Sequence, residues 1–479
     1  MKVPYMDSKV LIFFLGLAAV AVSLKGAMCA PDAPGLAIAS SETGKAYLTY
    51  KDAPLFAFGP GDELRTLSGG NDLARWAAWQ QEHGMNLIRA YPVSVPLEFY
   101  NATGLDPFQK RGDQWDVDAF NSAYFDSLAD GAAAMEKHDI VLHLQLWQIV
   151  FFKGGSARWD ANYLNPANNV NEWTRALNRG KDYIDAPADS LARLHQRRWV
   201  EHILDAVKGR RNVFIDVINE LGNEMGTIEW AVEVTRWIRA WETANDWRFI
   251  VGVDSEHHYT PERFGPHREH FDLIILNELR TRRHALDVIA AFNMPAVSVR
   301  SSDGSNQWSD YLFARADQTG PEHQTRYRTL CYRSMFAGLQ SVGAYWKPTI
   351  QDADYRDMEF WPVYAKALRA FWDYLAPYWP ELAPNAEDKH IISAVTPHAH
   401  ALASPALMAV YLECGSHTWN NAYAASSLLL RCPFNAYEII YFDPRTGVFE
   451  RLDASLEEAV LTVPLPAFID DAVVLVVNK

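Results

Sequence analysis

The pattern of hydrophobic and polar positions changes after about residue 380. Before that point, short apolar runs alternate with longer stretches in which apolar residues recur at helical spacing. Such alternation is typical of βα units, in which each strand is followed by a helix that packs on the sheet. The apolar runs predict eight strands, at residues 55–59, 86–91, 140–147, 213–219, 249–253, 273–276, 296–299 and 342–346. Eight such units in sequence predict a (β/α)8 TIM barrel.

The stretches between these runs predict the barrel helices. They lie at residues 72–83, 119–138, 188–208, 227–245, 282–292, 322–339 and 361–374. The connection after the fifth strand has the weakest helical pattern. The connection after the third strand begins with a long segment, 151–185, rich in Asn, Gly and Trp. We expect this segment to lie over the barrel mouth, where binding loops are commonly found.

A proline-rich break at residues 377–384 precedes a part of the chain that has only strand-like patterns. These predict seven strands, at residues 391–395, 407–412, 427–431, 437–442, 448–452, 459–463 and 473–477. A small all-β sandwich is the natural interpretation. The predicted organisation is therefore a signal peptide at 1–30, a barrel at 31–384 and a β-sandwich accessory domain at 385–479.

The amino terminus has the order of a secretory signal. Lys2 and Lys9 precede an apolar run at 10–24, and small residues continue to Ala30. The run is short for a membrane span, so the mature protein is predicted to have none. A lipoprotein with Cys29 acylated is the competing interpretation, but residues 26–28 lack the usual pattern before such a Cys. We expect the mature protein to be secreted or to lie in the periplasm or cell envelope.

Composition narrows the ligand class. The formal net charge of −15 argues against a nucleic-acid partner, because phosphate binding needs a basic surface. Aromatic residues make up 13% of the chain, which suits sugar stacking, although most rings in a large barrel are core. No Cys/His spacing resembles a zinc site, and we predict neither a metal nor a cofactor. Cys414 and Cys432 follow strand-like runs and could form a disulfide in an oxidising compartment, although their separation alone does not establish one.

The strongest chemical signal is the pair Asn219 and Glu220, which ends the apolar segment 212–220. In a parallel barrel the carboxyl ends of the strands carry the active site, and a Glu held there can donate a proton. The alternative is that the pair caps the next helix or binds an Arg. Trp147 and Trp346 each close a strand, so we expect both rings to face the mouth.

Two other polar residues follow the fifth strand. Glu256 and His258 lie in a dense polar segment after Asp254, which indicates that they line the cleft without assigning a role to either.

His143, in the third strand, is either a substrate contact or a hydrogen-bonded core histidine. Arg89, which ends the second strand segment 86–89, either braces a core carboxylate or orients a catalytic one.

The order of these strand-end residues along the chain resembles that of the clan A glycoside hydrolases. These are cellulase-like (β/α)8 enzymes whose acid/base Glu follows an Asn at the end of the fourth strand. Asn219 and Glu220 stand at that place. The resemblance implies an active-site role for Arg89 and His143, and a sugar platform at Trp346. The segment 163–171 is similar to a loop of a cellulase-like subgroup. The strands after residue 385, with the turn 442–447, resemble the collagen-binding-like β domain that ends those proteins.

One departure from this family concerns the second carboxylate. A retaining enzyme of the clan needs a Glu at the end of the seventh strand, about 5 Å from the acid/base. Residues 295–304 contain no Glu. Asp303, from the following loop, is one candidate for the missing carboxylate. Glu278, from the end of the sixth strand, is another. The third option is that the site is inverting or inactive. Each has a structural alternative, since Glu278 precedes several Arg residues and Asp303 is a good turn residue.

The sequence therefore predicts a secreted glycoside hydrolase that acts on a polysaccharide or oligosaccharide, with Glu220 as general acid/base. A noncatalytic carbohydrate-binding protein derived from a hydrolase barrel is the main alternative. A barrel lyase or deacetylase is a further class, but neither a metal cluster nor a Gly-x-Ser-x-Gly segment supports it. The oligomeric state is left open.

Overall fold

The computed structural model of the chain describes most of its residues after position 34. The described ranges are 35–60, 73–92, 94–100, 104–153, 157–222, 225–255, 259–279, 282–301, 321–344, 360–385, 387–414 and 420–479. The predicted signal segment and Cys29 lie outside them. Among the described residues, no helix is both long and apolar enough to cross a bilayer.

Eight parallel strands form the predicted barrel. They are Ala57–Pro60, Leu87–Ala90, Val141–Gln145, Val213–Asp216, Ile250–Asp254, Leu273–Leu279, Ala296–Ser301 and Ser341–Ala344. Each pairs with the next along the chain from the second to the eighth, and the eighth pairs with the first. Asn86 joins the first strand to the second: its main-chain N–H donates to the carbonyl of Phe58 (3.0 Å), and its side-chain oxygen accepts from Phe58 N–H (2.9 Å). The TIM-barrel prediction is confirmed.

Helices connect these strands on the outside. They are Leu73–Glu82, Ser122–Lys137, Leu191–Val207, Ile228–Asn245, Arg282–Phe292, Pro321–Phe336 and Phe360–Leu375. In the described part of the connection after the fifth strand, the helical segment is the 3₁₀-helix Gly265–His270, in agreement with the weak helical pattern there. Ser190 and Thr227 begin two of the helices as side-chain caps that accept from the main-chain N–H three residues on.

A small antiparallel sheet precedes the barrel and was not predicted. Its strands are Leu36–Ser40, Ala46–Tyr50 and Ala53–Pro54. Leu48 packs in one apolar cluster with Leu87 and Phe214, residues near the amino ends of barrel strands. The sheet therefore covers the end of the barrel opposite the carboxyl ends, where chemistry is expected.

Two large antiparallel sheets follow the barrel and form the predicted sandwich, and Ala422–Tyr423 pairs with Phe468–Ile469 in a small third sheet. One has six strands, Ala383–Pro384, His398–Ala403, Leu407–Glu413, Asp471–Asn478, Tyr437–Asp443 and Val448–Leu452. The other has four, Ile391–Ser393, Ser426–Arg431, Val460–Leu465 and Ser455–Glu457. A buried cluster lies between the sheets and includes Val410, Leu430 and Val474. The strand His398–Ala403 was missed, because His398 and His400 interrupt its apolar pattern.

The six-stranded sheet shares a core with the barrel helices. Phe371 of the last barrel helix packs on Phe442 (ring centroids 5.0 Å apart), and Tyr332 stacks on Tyr411 (5.3 Å). All four side chains are buried. The β-sandwich is thus bound to the barrel by an extensive apolar contact.

The cysteines of the sandwich are thiols rather than the disulfide that the sequence permitted. The Sγ of Cys432 lies 3.6 Å from the carbonyl of Phe434, and that of Cys414 lies 4.0 Å from the Oδ1 of Asp470. Both side chains are buried.

Candidate active site

Buried polar side chains fill the carboxyl ends of five neighbouring barrel strands. They are Arg89, His143, Gln145, Asp216, Asp254 and Asn277, each at most 2% exposed. Strand register brings them together, since Arg89 lies beside His143 and Gln145 lies beside Asp216. Burying so many polar groups is costly unless they are hydrogen-bonded to one another. Their contacts therefore define a single network.

Arg89 connects the second strand to the third and fourth. Its Nη2 donates to the Oε1 of Gln145 (2.9 Å) and to the Oδ1 of Asn219. The same nitrogen lies 4.0 Å from the Oδ2 of Asp254. Hydrogen bonds from a charged donor are stronger than neutral ones, so this guanidinium holds Asn219 firmly.

Asp216 is the acceptor at the centre of the network. Its Oδ2 accepts from His143 Nε2 (3.0 Å) and from Gln145 Nε2 (2.6 Å), and its Oδ1 accepts from the main-chain N–H of Asp254 (3.0 Å). Burial lowers the pKa of His143, and the nearby Asp216 only partly opposes this. His143 is therefore a neutral imidazole that donates to Asp216 and stacks on Phe214 (4.5 Å). In this structure it is a hydrogen-bonded core residue.

Asn219 and Glu220 leave the fourth strand in a sharp turn. The N–H of Asn219 donates to the carbonyl of Trp147 (3.0 Å), and the N–H of Leu221 donates to the carbonyl of Asp254 (2.9 Å). Between them Glu220 has a φ of 57°, in the left-handed region that non-glycine residues rarely adopt. Asn219 is 5% exposed, whereas the side chain of Glu220 is partly exposed. The turn thus places a carboxyl group at the surface of a buried polar layer.

Asn277 joins the sixth strand to the same layer. Its Nδ2 donates to the Oδ2 of Asp254 (2.8 Å) and lies 3.3 Å from the Oδ1 of Asn219. The oxygen of Asn219 thus has two donors. The Nδ2 of Asn219 has no hydrogen-bond partner among the described residues, so this amide nitrogen is available to donate to a ligand.

Comparison with solved structures identifies proteins of the same architecture. One structure, described as a glycoside hydrolase, aligns with a TM-score of 0.60 at 12% identity, covering 93% of this chain and 97% of that one. The crystal structure of a glycoside hydrolase family 5 protein from Bacteroides vulgatus aligns with a TM-score of 0.59 at 13% identity, covering 92% and 93%. The fold is that of glycoside hydrolase structures. Comparisons with family models and with curated protein sequences found no match.

Of the two carboxylates predicted to complement Glu220, the structure describes only the backbone of Glu278. The backbone of Glu278 lies in the sixth barrel strand, paired with Arg300 of the seventh. Asp303 lies outside the described residues, as do Glu256, His258 and Trp346. Their assignments stay predictions.

Trp147, which was predicted to face the mouth because it closes a strand, is buried in this structure. Its side chain is 2% exposed and packs on Trp230 (ring centroids 5.3 Å apart). Its main-chain carbonyl holds Asn219, as described above. In this structure Trp147 supports the turn that carries Glu220, and its substrate contact stays a prediction.

The segment after the third strand is held by its own asparagines. Asn162 donates to the carbonyl of Phe151 (2.9 Å), and Asn169 donates to that of Tyr163 (2.9 Å). Asp185 then accepts from the N–H of Gly226 (2.8 Å), in the segment that follows Glu220. Much of the asparagine-rich composition is therefore explained by loop structure, and the loop braces the segment that carries Glu220.

Sequence reasoning missed Gln145, Asp216 and Asn277, and it left Asp254 without a role. Each is a polar residue within or at the end of an apolar strand, and that interruption was the available signal. Among the described residues, no group of three or more His, Cys, Asp or Glu side chains is arranged to hold a metal ion.

Proposed function

We propose that the protein is a glycoside hydrolase acting on a polysaccharide or oligosaccharide, with Glu220 as the general acid/base. The observation that carries this is the Asn219–Glu220 turn at the carboxyl end of the fourth strand. A non-glycine residue in a left-handed conformation costs about 1–3 kcal/mol and persists where surrounding structure holds it, often at functional sites. Here Asp254 and Trp147 provide that hold through their main-chain carbonyls.

In the proposed reaction, Glu220 gives a proton to the oxygen of the leaving sugar. Asn219 donates its free amide hydrogen to a sugar hydroxyl, while Arg89 and Asn277 fix the amide orientation through its oxygen. Positioning of this kind supplies catalysis because the reacting groups are held before the reaction begins.

A second carboxyl group completes the reaction as nucleophile or as base for water. Glu278 and Asp303 are the candidates. A separation of about 5 Å from Glu220 corresponds to a retaining reaction, and about 6.5–9.5 Å to an inverting one. The substrate sugar is held by aromatic and polar residues of the mouth, for which Trp346, Glu256 and His258 are proposed.

Export completes the proposal, supported by the charged, apolar and small-residue order of residues 1–30. N-terminal sequencing of the mature protein is expected to show a start near residue 31. A mature protein that began at Met1 would contradict export.

A noncatalytic carbohydrate-binding protein is the second candidate function. The observation that favours it is the seventh strand, Ala296–Ser301, which contains no Glu. Such a protein would bind sugar through the same mouth without releasing product.

The test compares Glu220→Gln with the wild type on a panel of polysaccharides and aryl glycosides. The variant keeps the shape of the side chain but removes the acid, so hydrolysis of substrates with poor leaving groups should fall by about 10²–10⁴-fold. Aryl glycosides with good leaving groups should lose less. Glu201→Gln, on an outer helix where Glu201 pairs with Arg197, is the matched control. Sugar binding without sugar release by the wild type would replace the hydrolase proposal with the binding-protein alternative.

A further inference from the structure

Asp254 contacts the segment around Glu220 with its main chain. Its carbonyl accepts from Leu221 N–H (2.9 Å), and its own N–H donates to Asp216 (3.0 Å). Asp254 ends the fifth strand and is completely buried. It therefore lies beneath the turn, out of contact with solvent.

The side chain of Asp254 has two unlike oxygens. Oδ2 accepts from Asn277 (2.8 Å) and lies 4.0 Å from Arg89. Oδ1 is buried and has no hydrogen-bond partner among the residues that the structure describes. An ionised oxygen in that position would be neither solvated nor paired, which is energetically costly.

The groups around Asp254 act in opposite directions on its ionisation. Asp216, which accepts three hydrogen bonds, and Glu220 disfavour it, whereas the guanidinium of Arg89 favours it. Burial lowers the pKa of His143, so this imidazole adds no second cation. Burial raises the pKa of Asp254 well above its usual range, Asp216 and Glu220 raise it further, and Arg89 and the hydrogen bond from Asn277 oppose them. Among the described residues, Tyr259 is a further titratable group nearby, and its hydroxyl donates to the carbonyl of Val253.

We propose that Asp254 is a positioning residue, a neutral carboxyl that holds Asn277 and Asn219 in the orientation required by Glu220. This inference rests on the proposed function of Glu220. Because Oδ2 accepts from Asn277, the proton resides on Oδ1. Asn277 then keeps its amide hydrogens directed at Asp254 and Asn219, and the amide nitrogen of Asn219 is left for the substrate.

The first test does not depend on activity. Infrared difference spectra between the wild type and Asp254→Asn at neutral pH should show the carbonyl stretch of a protonated carboxyl that the variant lacks. Asp272→Asn is the control, because Asp272 is ion-paired with Arg239 and Arg248 and should lose carboxylate bands only. Loss of carboxylate bands alone in Asp254→Asn would overturn the proposal.

The second test compares two substitutions kinetically. Asp254→Asn keeps an uncharged donor and acceptor, so kcat should fall by less than about 10-fold. Asp254→Leu removes both, and kcat should fall by about 10²-fold with KM nearly unchanged, since small misplacements of catalytic groups cost about that much. Equal losses in the two variants would overturn the proposal, and so would full activity of Asp254→Leu.

The two tests separate this inference from the proposed function. If the wild type hydrolyses no glycoside, the hydrolase proposal fails, and the infrared spectra still decide the state of Asp254. If Asp254→Leu does not fold, the infrared result alone decides. An active enzyme without the protonated-carboxyl band contradicts only the role given to Asp254.

Discussion

Asn219 accepts a hydrogen bond from the guanidinium of Arg89, although the two residues are 130 positions apart in the chain. This contact fixes which end of the Asn219 amide faces the barrel mouth. The oxygen is directed inward, towards Arg89 and Asn277, and the nitrogen is left for a ligand. The chemistry proposed for Glu220 therefore depends on a cation that is itself buried.

Replacing Arg89 with Met should lower both stability and activity. The change removes the buried charged donor that hydrogen-bonds to Gln145 and Asn219, and a hydrogen bond to a charged group is typically worth about 1.5–3 kcal/mol. Denaturant unfolding measures the loss of stability. The kcat measures the loss of activity that is expected when Arg89 no longer fixes the orientation of the Asn219 amide. Arg197→Met is the control, because Arg197 is half exposed and its pair with Glu201 is worth less than about 1 kcal/mol. Equal stability of the two variants would contradict the role given to Arg89.

Glu278→Gln and Asp303→Asn should identify the second carboxylate. Whichever residue serves as nucleophile or base should lose about 10²–10⁴-fold in activity with unchanged stability. Loss of an ion pair or a turn residue would instead appear as lower stability. The anomer of the first product, followed by NMR, distinguishes retention from inversion. If neither variant loses activity, the pair is wrongly assigned.

The stability of the protein should fall as pH rises above about 6.5, the ordinary pKa of a histidine, because of His400. This side chain is 17% exposed and lies between Asp388 (Nδ1 to Oδ2, 3.7 Å) and Glu413 (Nε2 to Oε1, 3.4 Å). Burial lowers the pKa of His400, but the two carboxylates outweigh burial and raise it above 6.5. Arg282 and Arg333, from barrel helices, bind the same carboxylates.

A raised pKa of His400 fixes the direction in which stability changes with pH. The stabilisation from protonated His400 is complete below the unfolded-state value and is lost as pH rises through the higher folded-state value. The free energy of unfolding should thus decrease across this range in the wild type and change less in His400→Gln. His398→Gln, on the exposed end of the same strand, should behave as the wild type does. Parallel pH profiles for the wild type and His400→Gln would contradict this assignment.

The contact between the barrel and the sandwich should be essential for stability. Phe442→Ala removes a buried ring that packs on Phe371 and should cost about 3–5 kcal/mol in denaturant unfolding. Phe449→Ala, at a position 36% exposed, should cost less. Deleting residues 387–479 should destabilise the barrel, because it uncovers Tyr332 and Phe371. A folded, fully stable truncated barrel would contradict the shared core.

The order of apolar runs was sufficient to predict the barrel because every parallel strand is buried on both faces. Such strands are nearly continuous apolar runs, and amphipathic helices separate them. All eight predicted strands exist, with ends displaced by a few residues. The apolar pattern did not predict the strand His398–Ala403, which histidines interrupt. It also did not predict the short strands of the amino-terminal sheet, of the hairpin Phe108–Arg111 and Gln114–Phe120, or of Ser455–Glu457.

The sequence by itself determined the barrel, the sandwich and the position of the Asn219–Glu220 pair, because these follow from local patterns. Only the tertiary structure decided which polar groups meet. Closure of the barrel brings Arg89, Asp216 and Asp254 into contact from separate strands, and no local pattern specifies that adjacency. The same closure buries His143 and Trp147, which the sequence placed on strands without showing whether their side chains reach the mouth. Burial and charge balance among strand ends are properties of the closed sheet, so they exist only once the chain has folded.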